Sequence, residues 1–338
     1  MVDQRAAILT GTKAAHSLHR DLGIREAVER NGGARVDVFG AIGKLGATLM
    51  FQPLDKLLGA YVPAEEPGVL ITTRRPLPVQ RFTGAHELGH LYMRHEPSLD
   101  DEKILRRAPF STASSRTDRQ EREADAFASM FLSPAWLLAL ILQRQKWNGR
   151  DLVDPRLVYQ TSLRIGTSYQ ATCHALERHK AIDRATRDRL LECEPKDIKR
   201  SLLGGYAPPD WRSDVWVLSE RDEGALIEGG RNDLFVVRLR ENSGAGYLWN
   251  IDQLRAAGFA VVADDREDDE IETVGGALTR RVTARSEDRA QGQLVLQERR
   301  PWLPQKPPLH ELHLEYDLRG PEEPGLWEPE QRRVLEAA

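Results

Sequence analysis

Apolar residues recur at helical spacing near the start of the chain, at Ala7, Leu9, Ala14, Leu18 and Leu22, and predict helix over residues 1–30. From 35 to 80 the pattern changes. "ARVDVFGAIGKLGATLMFQPL" joins a helical stretch to the strand-like "ATLMF", and "GVLITTRRP" reads as a second strand. Two short strands before a helix predict a small sheet packed on helices. The next helix is expected from near Gln80 to about Met93, and the charged, Ser-rich stretch 99–118 reads as a loop. "DRQEREADAFASMFLSPAWLLALILQRQ" is helical again and breaks at Pro134, where a new helix can start. Residues 151–192 read as helical throughout. Within them a helix, a turn at Gly166 and a second helix trace an outline shared by a plain helical hairpin, the favoured reading, and a helix-turn-helix DNA reader. "LLGGYAPPDWRSD" (202–214) has linker composition. Beyond it, "VWVLS", "DLFVVRLRE", "FAVVADD", "TRRVTAR", "GQLVLQERR" and "HELHLEYDL" alternate with period two and predict an all-β sandwich of about 100 residues. The run "ADDREDDEIE" reads as a solvated loop, lacking the spacing and central Gly of an EF-hand.

This punctuation divides the 338 residues into a core at 1–150, a helical segment at 151–200, a linker at 201–214, a β domain at 215–318 and a tail at 319–338. Composition changes the picture little: 40% apolar and 30% charged residues are those of a globular chain. The apolar patch "WLLALIL" (136–142) is far shorter than the ~20 residues that span a bilayer. A formal charge of −4 argues against wholesale nucleic-acid binding and leaves room for a local basic face. Only Cys173 and Cys193 occur, so neither a disulfide framework nor a Cys-based zinc site is expected. With no secretory h-region at the start, the expected compartment is the cytoplasm.

Chemistry concentrates in "RFTGAHELGHLYMRH" (81–95). On a helix His86 and His90 share a face and can give two imidazole nitrogens to one ion. Glu87, about 100° around the axis, cannot join as an equivalent ligand but can serve a water held by the metal as general base. Such a site needs a third protein ligand. In "EREAD" (121–125) Glu121 and Asp125 are four apart on one face. Glu121 can supply the carboxylate, Asp125 can accept the outer N–H of a liganding histidine, and Glu123 points elsewhere. Two imidazoles and a carboxylate accept zinc or manganese. His95 could bind metal or stabilise an oxyanion, but its position past the helix end favours a surface histidine.

Residues 1–190 resemble the ImmA/IrrE family of metallopeptidases. The likeness rests on "RFTGAHELGHLYMRH", on the strand "GVLITTRRP" and above all on "EREADAFASMFLSP". It implies that His86, His90 and Glu121 are zinc ligands and Glu87 the catalytic glutamate; Asp125 stands where the family usually has Asn. It further implies a helix-turn-helix-like segment after the core, which fits 155–182, a cytoplasmic location, and a protein substrate such as a helix-turn-helix repressor, with stress-response or mobile-element switching as the outcome. The β domain resembles chagasin-family inhibitors of papain-like cysteine peptidases. "ENSGAGYLWN", "TVGGALTR" and "QERRPWLP" match that family's three loops in order, through Asn242, Gly246, Tyr247 and Trp249, Gly275 and Gly276, and Arg300, Pro301 and Trp302. Ser243 replaces the family's Pro, and the Gly-rich loop is shortened. On packing grounds alone Tyr247 and both tryptophans could equally be sandwich core.

The resulting expectation is an α+β zincin-like metallopeptidase core with a helical extension and a C-terminal all-β, immunoglobulin-like sandwich. Its activity is expected to be zinc-dependent endopeptidase, with a C-terminal domain that binds protein or regulates. The competing readings are a DNA-binding regulator with a vestigial metal site, and a cysteine-peptidase inhibitor acting through residues 215–318.

Overall fold

The computed structural model describes residues 2–32, 35–96, 99–101, 116–267, 278–287 and 291–337. The N-terminal rhythm forms two helices, α1 (Val2–Asp21) and α2 (Ile24–Arg30). They part at Gly23, whose left-handed backbone (φ 58°) a glycine adopts without strain. Helix α3 (Val38–Lys44) is capped by Asp37, which accepts from the Gly40 N–H at 2.8 Å. Three strands follow, not two: β1 (Thr48–Gln52), β2 (Leu57–Val62) and β3 (Gly68–Thr72). The extra one, "LLGAYV", is buried at four successive positions, so it has no polar face and no alternation to betray it. Helix α4 (Leu77–Met93) carries the motif, and β4 (Leu99–Asp101) occupies the start of the stretch expected to be loop. Helices α5 (Arg116–Leu132) and α6 (Ala135–Gln145) divide at Pro134. The helical segment holds α7 (Pro155–Ile165), α8 (Tyr169–Arg178), α9 (Arg184–Leu191) and α10 (Pro195–Leu203), with Gly166 (φ 71°) ending α7.

The C-terminal half contains β5 (Val215–Leu218), β6 (Ala225–Glu228), β7 (Leu234–Glu241), β8 (Leu248–Trp249), α11 (Asp252–Ala256), β9 (Phe259–Glu267), β10 (Leu278–Ser286), β11 (Gln291–Arg299) and β12 (His310–Asp317). They make two four-stranded sheets, β5-β7-β10-β9 and β6-β12-β11-β8. Phe259 of β9 meets Tyr316 of β12 edge-on at 5.1 Å, so one apolar layer serves both sheets. Both sheets are mixed, because β5 runs parallel to β7 and β6 parallel to β12. The acidic run is strand as far as Glu267, since Asp264 takes two hydrogen bonds from Arg280 on β10. The rest of that run, with Gly275 and Gly276, lies outside the described residues.

The last segment does not stay with the β domain. Strand β13 (Gly325–Leu326) pairs antiparallel with β1, and α12 (Glu328–Ala337) follows. The N-terminal sheet therefore has the order β13-β1-β3-β2-β4, parallel only between β1 and β3.

Helix α7 ties the halves together and is buried along most of its length. Tyr159 donates to Asp214 at 2.7 Å, Gln160 bonds both Val215 O and Val217 N, and Arg164 donates to Asp222 at 2.9 Å. The first helix of the helix-turn-helix outline is thus committed to holding β5, and α8 keeps Gln170, His174 and Arg178 exposed. At the other end of α7, the buried Arg81 of α4 donates to Gly166 O (3.1 Å) and Val36 O (2.8 Å). A cation there satisfies a carbonyl of the helix end and meets the negative end of its dipole.

Candidate metal centre

Helix α4 enters the core because its middle is small or apolar. Positions Thr83–His90 are all buried. A Cβ on Gly84 would lie 3.1 Å from both Ile71 and Phe39, and one on Gly89 would lie 3.1 Å from Phe127. Helix α5 is drawn in equally closely by α1, where a Cβ on Gly11 would lie 2.0 Å from Glu123 O. These approaches set α5 against the face of α4 that bears the histidines.

Three side chains converge there. His86 Nε2 is 3.0 Å from His90 Nε2 and 3.2 Å from Glu121 Oε2, and His90 Nε2 is 3.8 Å from Glu121 Oε1. Both histidines are 1% exposed and Glu121 5%, so Glu121 faces the site rather than a wet surface. Among the described residues these three form the group able to hold a metal ion. Ligand atoms on a tetrahedral zinc with bonds of ~2.0–2.1 Å sit about 3.3 Å apart, so the spacing fits such an ion with only small adjustment.

The outer nitrogens are also engaged. His86 Nδ1 lies 3.0 Å from Asp125 Oδ1. A carboxylate can only accept, so His86 carries its proton on Nδ1, and the Nε2 lone pair faces the site. Burial, and next the neighbouring His86, pushes His90 down to about 3, which leaves its imidazole neutral and able to act as a ligand at physiological pH. Glu87 is 1% exposed and lies beside β2, where a Cβ on Gly59 would come within 3.2 Å of its Oε1, 2.5 Å of Thr83 Cγ2 and 2.9 Å of Leu70 O. Gly59 therefore lets β2 approach Thr83 and Glu87 of α4 more closely than a side chain would allow, a role that its place in a buried strand did not signal.

His95 departs from expectation. It is 9% exposed, not a surface residue. Arg94 ends α4 in the left-handed region (φ 55°), His95 N–H bonds back to His90 O at 3.0 Å, and the chain turns so that the His95 ring meets His90 edge-on at 4.9 Å. His95 Nδ1 lies 3.1 Å from His90 Nδ1, and His95 Nε2 lies 3.1 Å from Glu123 Oε2. Glu123 does point away from the three converging groups, as helical geometry requires, but it is buried rather than solvated.

At the C-terminal domain two of the three expected loops meet. The Arg300 guanidinium lies 4.5 Å over the Tyr247 ring and donates to Ala245 O, and a Cβ on Gly246 would lie 2.5 Å from the Trp302 ring. Trp302 is 63% exposed and Pro301 is exposed beside it, whereas Trp249 is 3% exposed and donates its indole N–H to Arg240 O. Trp249 is therefore core and Trp302 is surface. Asn242 serves the loop from beneath: its amide and backbone N–H donate to Glu298, which is fully buried.

Comparison with known proteins places both halves. Residues 42–177, which span α4, α5 and the converging groups, match the family of the IrrE N-terminal-like domain, Peptidase M78, and so define a metallopeptidase-like domain. Residues 230–316 match the chagasin family peptidase inhibitor I42. Among solved structures, the chain is similar to the cysteine protease inhibitor EhICP2 from Entamoeba histolytica, with 24% identity over 33% of this chain and 100% of that one, TM-score 0.28. It is also similar to Amebosin, with 19% identity over 31% of this chain and 96% of that one, TM-score 0.25. No curated protein matches the chain.

Proposed function

We propose that the chain is a metal-dependent endopeptidase, with His86, His90 and Glu121 as ligands, Glu87 as general base and Asp125 orienting His86. One observation carries this reading. With its proton committed to Asp125, His86 turns a lone pair toward a carboxylate oxygen 3.2 Å away and a second imidazole nitrogen 3.0 Å away. Electron pairs brought that close repel unless a cation lies among them. A proton could relieve one pair; a divalent ion meets all three groups. Zinc suits two nitrogens and one carboxylate, and manganese is the alternative.

When bound, such an ion supplies Lewis acidity, polarising a peptide carbonyl and making water acidic enough to lose its proton near neutral pH. The residues do the rest. Glu87, held on the same helix as the two histidines, receives the water's proton and returns it to the leaving amine. Its burial keeps bulk water from competing for that proton. Asp125 keeps His86 in the ligating tautomer, and Gly59 lets β2 pack close against Glu87.

The substrate class, a regulatory protein such as a helix-turn-helix repressor, is taken from the family likeness. The C-terminal domain is read as a docking module for protein, because Trp302 and the Arg300–Tyr247 stack form an exposed, aromatic loop tip of the kind that anchors partners. Inhibition of a cysteine peptidase is a second reading of that same tip, favoured by its match to the chagasin family.

Glu87→Gln tests the enzyme reading. Gln cannot take the proton but leaves the ligands in place, so cleavage of a protein substrate should fall by about 10²–10⁴-fold with metal content unchanged. Comparing the proteomes of cells that carry the native and Glu87→Gln chains would name the substrate. Full activity in the variant, or loss of its metal, contradicts the assigned role.

A further inference from the structure

We propose that His95, held by Glu123, is a positioning residue that fixes His90 in its metal-ligating tautomer. This inference rests on the metal-site reading above. Glu123 accepts from Arg119 Nε at 2.9 Å through one oxygen and lies 3.1 Å from His95 Nε2 through the other. A carboxylate accepts and does not donate, so the proton of His95 resides on Nε2. A neutral imidazole has one N–H, which leaves His95 Nδ1 as an acceptor. The atom facing it at 3.1 Å is His90 Nδ1, which is therefore the donor. His90 is thereby left with a bare Nε2, the atom that lies 3.0 Å from His86 Nε2. The direction of every proton in the series Arg119, Glu123, His95, His90 follows from the one group that can only accept.

The two ligating histidines are thus oriented by different means. Asp125 reaches His86 directly. Among the described residues it is a second histidine, His95, that stands at His90 Nδ1 and transmits the preference of Glu123. The backbone is shaped for this arrangement. Arg94 takes a left-handed conformation that a non-glycine residue adopts only at a cost, and that turn brings the His95 ring back onto His90.

The test is zinc affinity of the full chain, stripped of metal and titrated in competition with a chelator. Thermal unfolding of each stripped protein is recorded alongside. Removing an outer partner of a ligating histidine typically weakens metal binding by about 10–100-fold, and His95→Ala should do so. His95→Asn should bind within about threefold of native, because the amide oxygen accepts where Nδ1 does. Glu123→Ala should fall between, since His95 then has no preferred tautomer. Native affinity in His95→Ala overturns the proposal. So does an equal loss in His95→Asn, which would mean that the ring matters as packing alone. If His95→Ala does not fold, the comparison of His95→Asn with Glu123→Ala decides: equal affinities contradict the relay. Failure of the native chain to bind zinc would instead overturn the metal-site reading, and this inference with it.

Discussion

His19 shows what burial does to an imidazole in this fold. It is 7% exposed, donates from Nε2 to Phe131 O at 2.9 Å, and is pushed down to about 4, chiefly by burial. The folded chain therefore keeps His19 neutral where the unfolded chain protonates it. Stability contributed by the neutral ring is intact above pH 6.5 and is lost as pH falls from 6.5 toward 4, at about 1.4 kcal/mol per pH unit. His19→Gln keeps a donor for Phe131 and cannot titrate. Urea unfolding from pH 7 to pH 4 should show native stability falling more steeply than that of the variant, by about 3 kcal/mol across the window. Parallel pH profiles would contradict the assignment. Sequence spacing alone pointed to His86, Glu87, His90, Glu121 and Asp125, because each sits at a helical interval that chemistry requires. It favoured a surface position for His95 and set Glu123 aside, because their contact depends on Arg94 turning the chain past the helix end, a local event that no periodicity encodes.

Among the elements, α4 was legible because its two histidines stand one helical turn apart, although Thr83–His90 are buried on every side, and α5 because its apolar positions recur as a helix with a buried face requires. The strands of the C-terminal half that alternate polar with apolar were legible for the same reason. Strand β2 was not, since a strand buried on both faces looks like any short apolar run. Strand β8 was missed because it has two residues, too few to show a period, and β6, as long as β5, because "ALIE" has the weak strand formers Ala and Glu where "VWVL" has valines and a tryptophan. The charged end of β9 was missed because its solvent-accessible carboxylates are also matched across the sheet, Asp264 with Arg280 and Glu267 with Arg238. Helix α7 presented an amphipathic pattern, yet its polar side is also buried, engaged with β5 and Asp222. A polar helical face can be read from sequence; whether water or another domain meets it cannot.

At the scale of the whole molecule, the C-terminal tail is part of the N-terminal sheet. Trp327 N–H donates to Leu49 O at 3.0 Å, Glu330 Oε2 accepts from Leu49 N–H at 2.9 Å, and Gln80 of α4 accepts from Glu322 N–H at 2.9 Å. These contacts close the β1 edge and brace the helix that carries His86 and His90. Deleting 320–338 strips partners from buried backbone groups, each costing about 1–3 kcal/mol when left unmet. The shortened chain should lose on the order of 3 kcal/mol of stability or more, whereas deleting only 333–338 should cost little. Urea midpoints of the two truncations distinguish them. Equal midpoints would show that β13 and Glu330 contribute nothing to the sheet. The tail's destination was not legible, because two strand residues of no marked propensity find their partner some 270 positions away.

The account stands on a cation among His86, His90 and Glu121, and metal analysis of the purified native and Glu121→Ala chains tests that most directly. The prediction is close to one zinc or manganese ion per native chain, with a marked loss in Glu121→Ala. A native chain that carries no divalent ion and takes none up when supplied, or a Glu121→Ala chain as fully loaded as the native one, would contradict it.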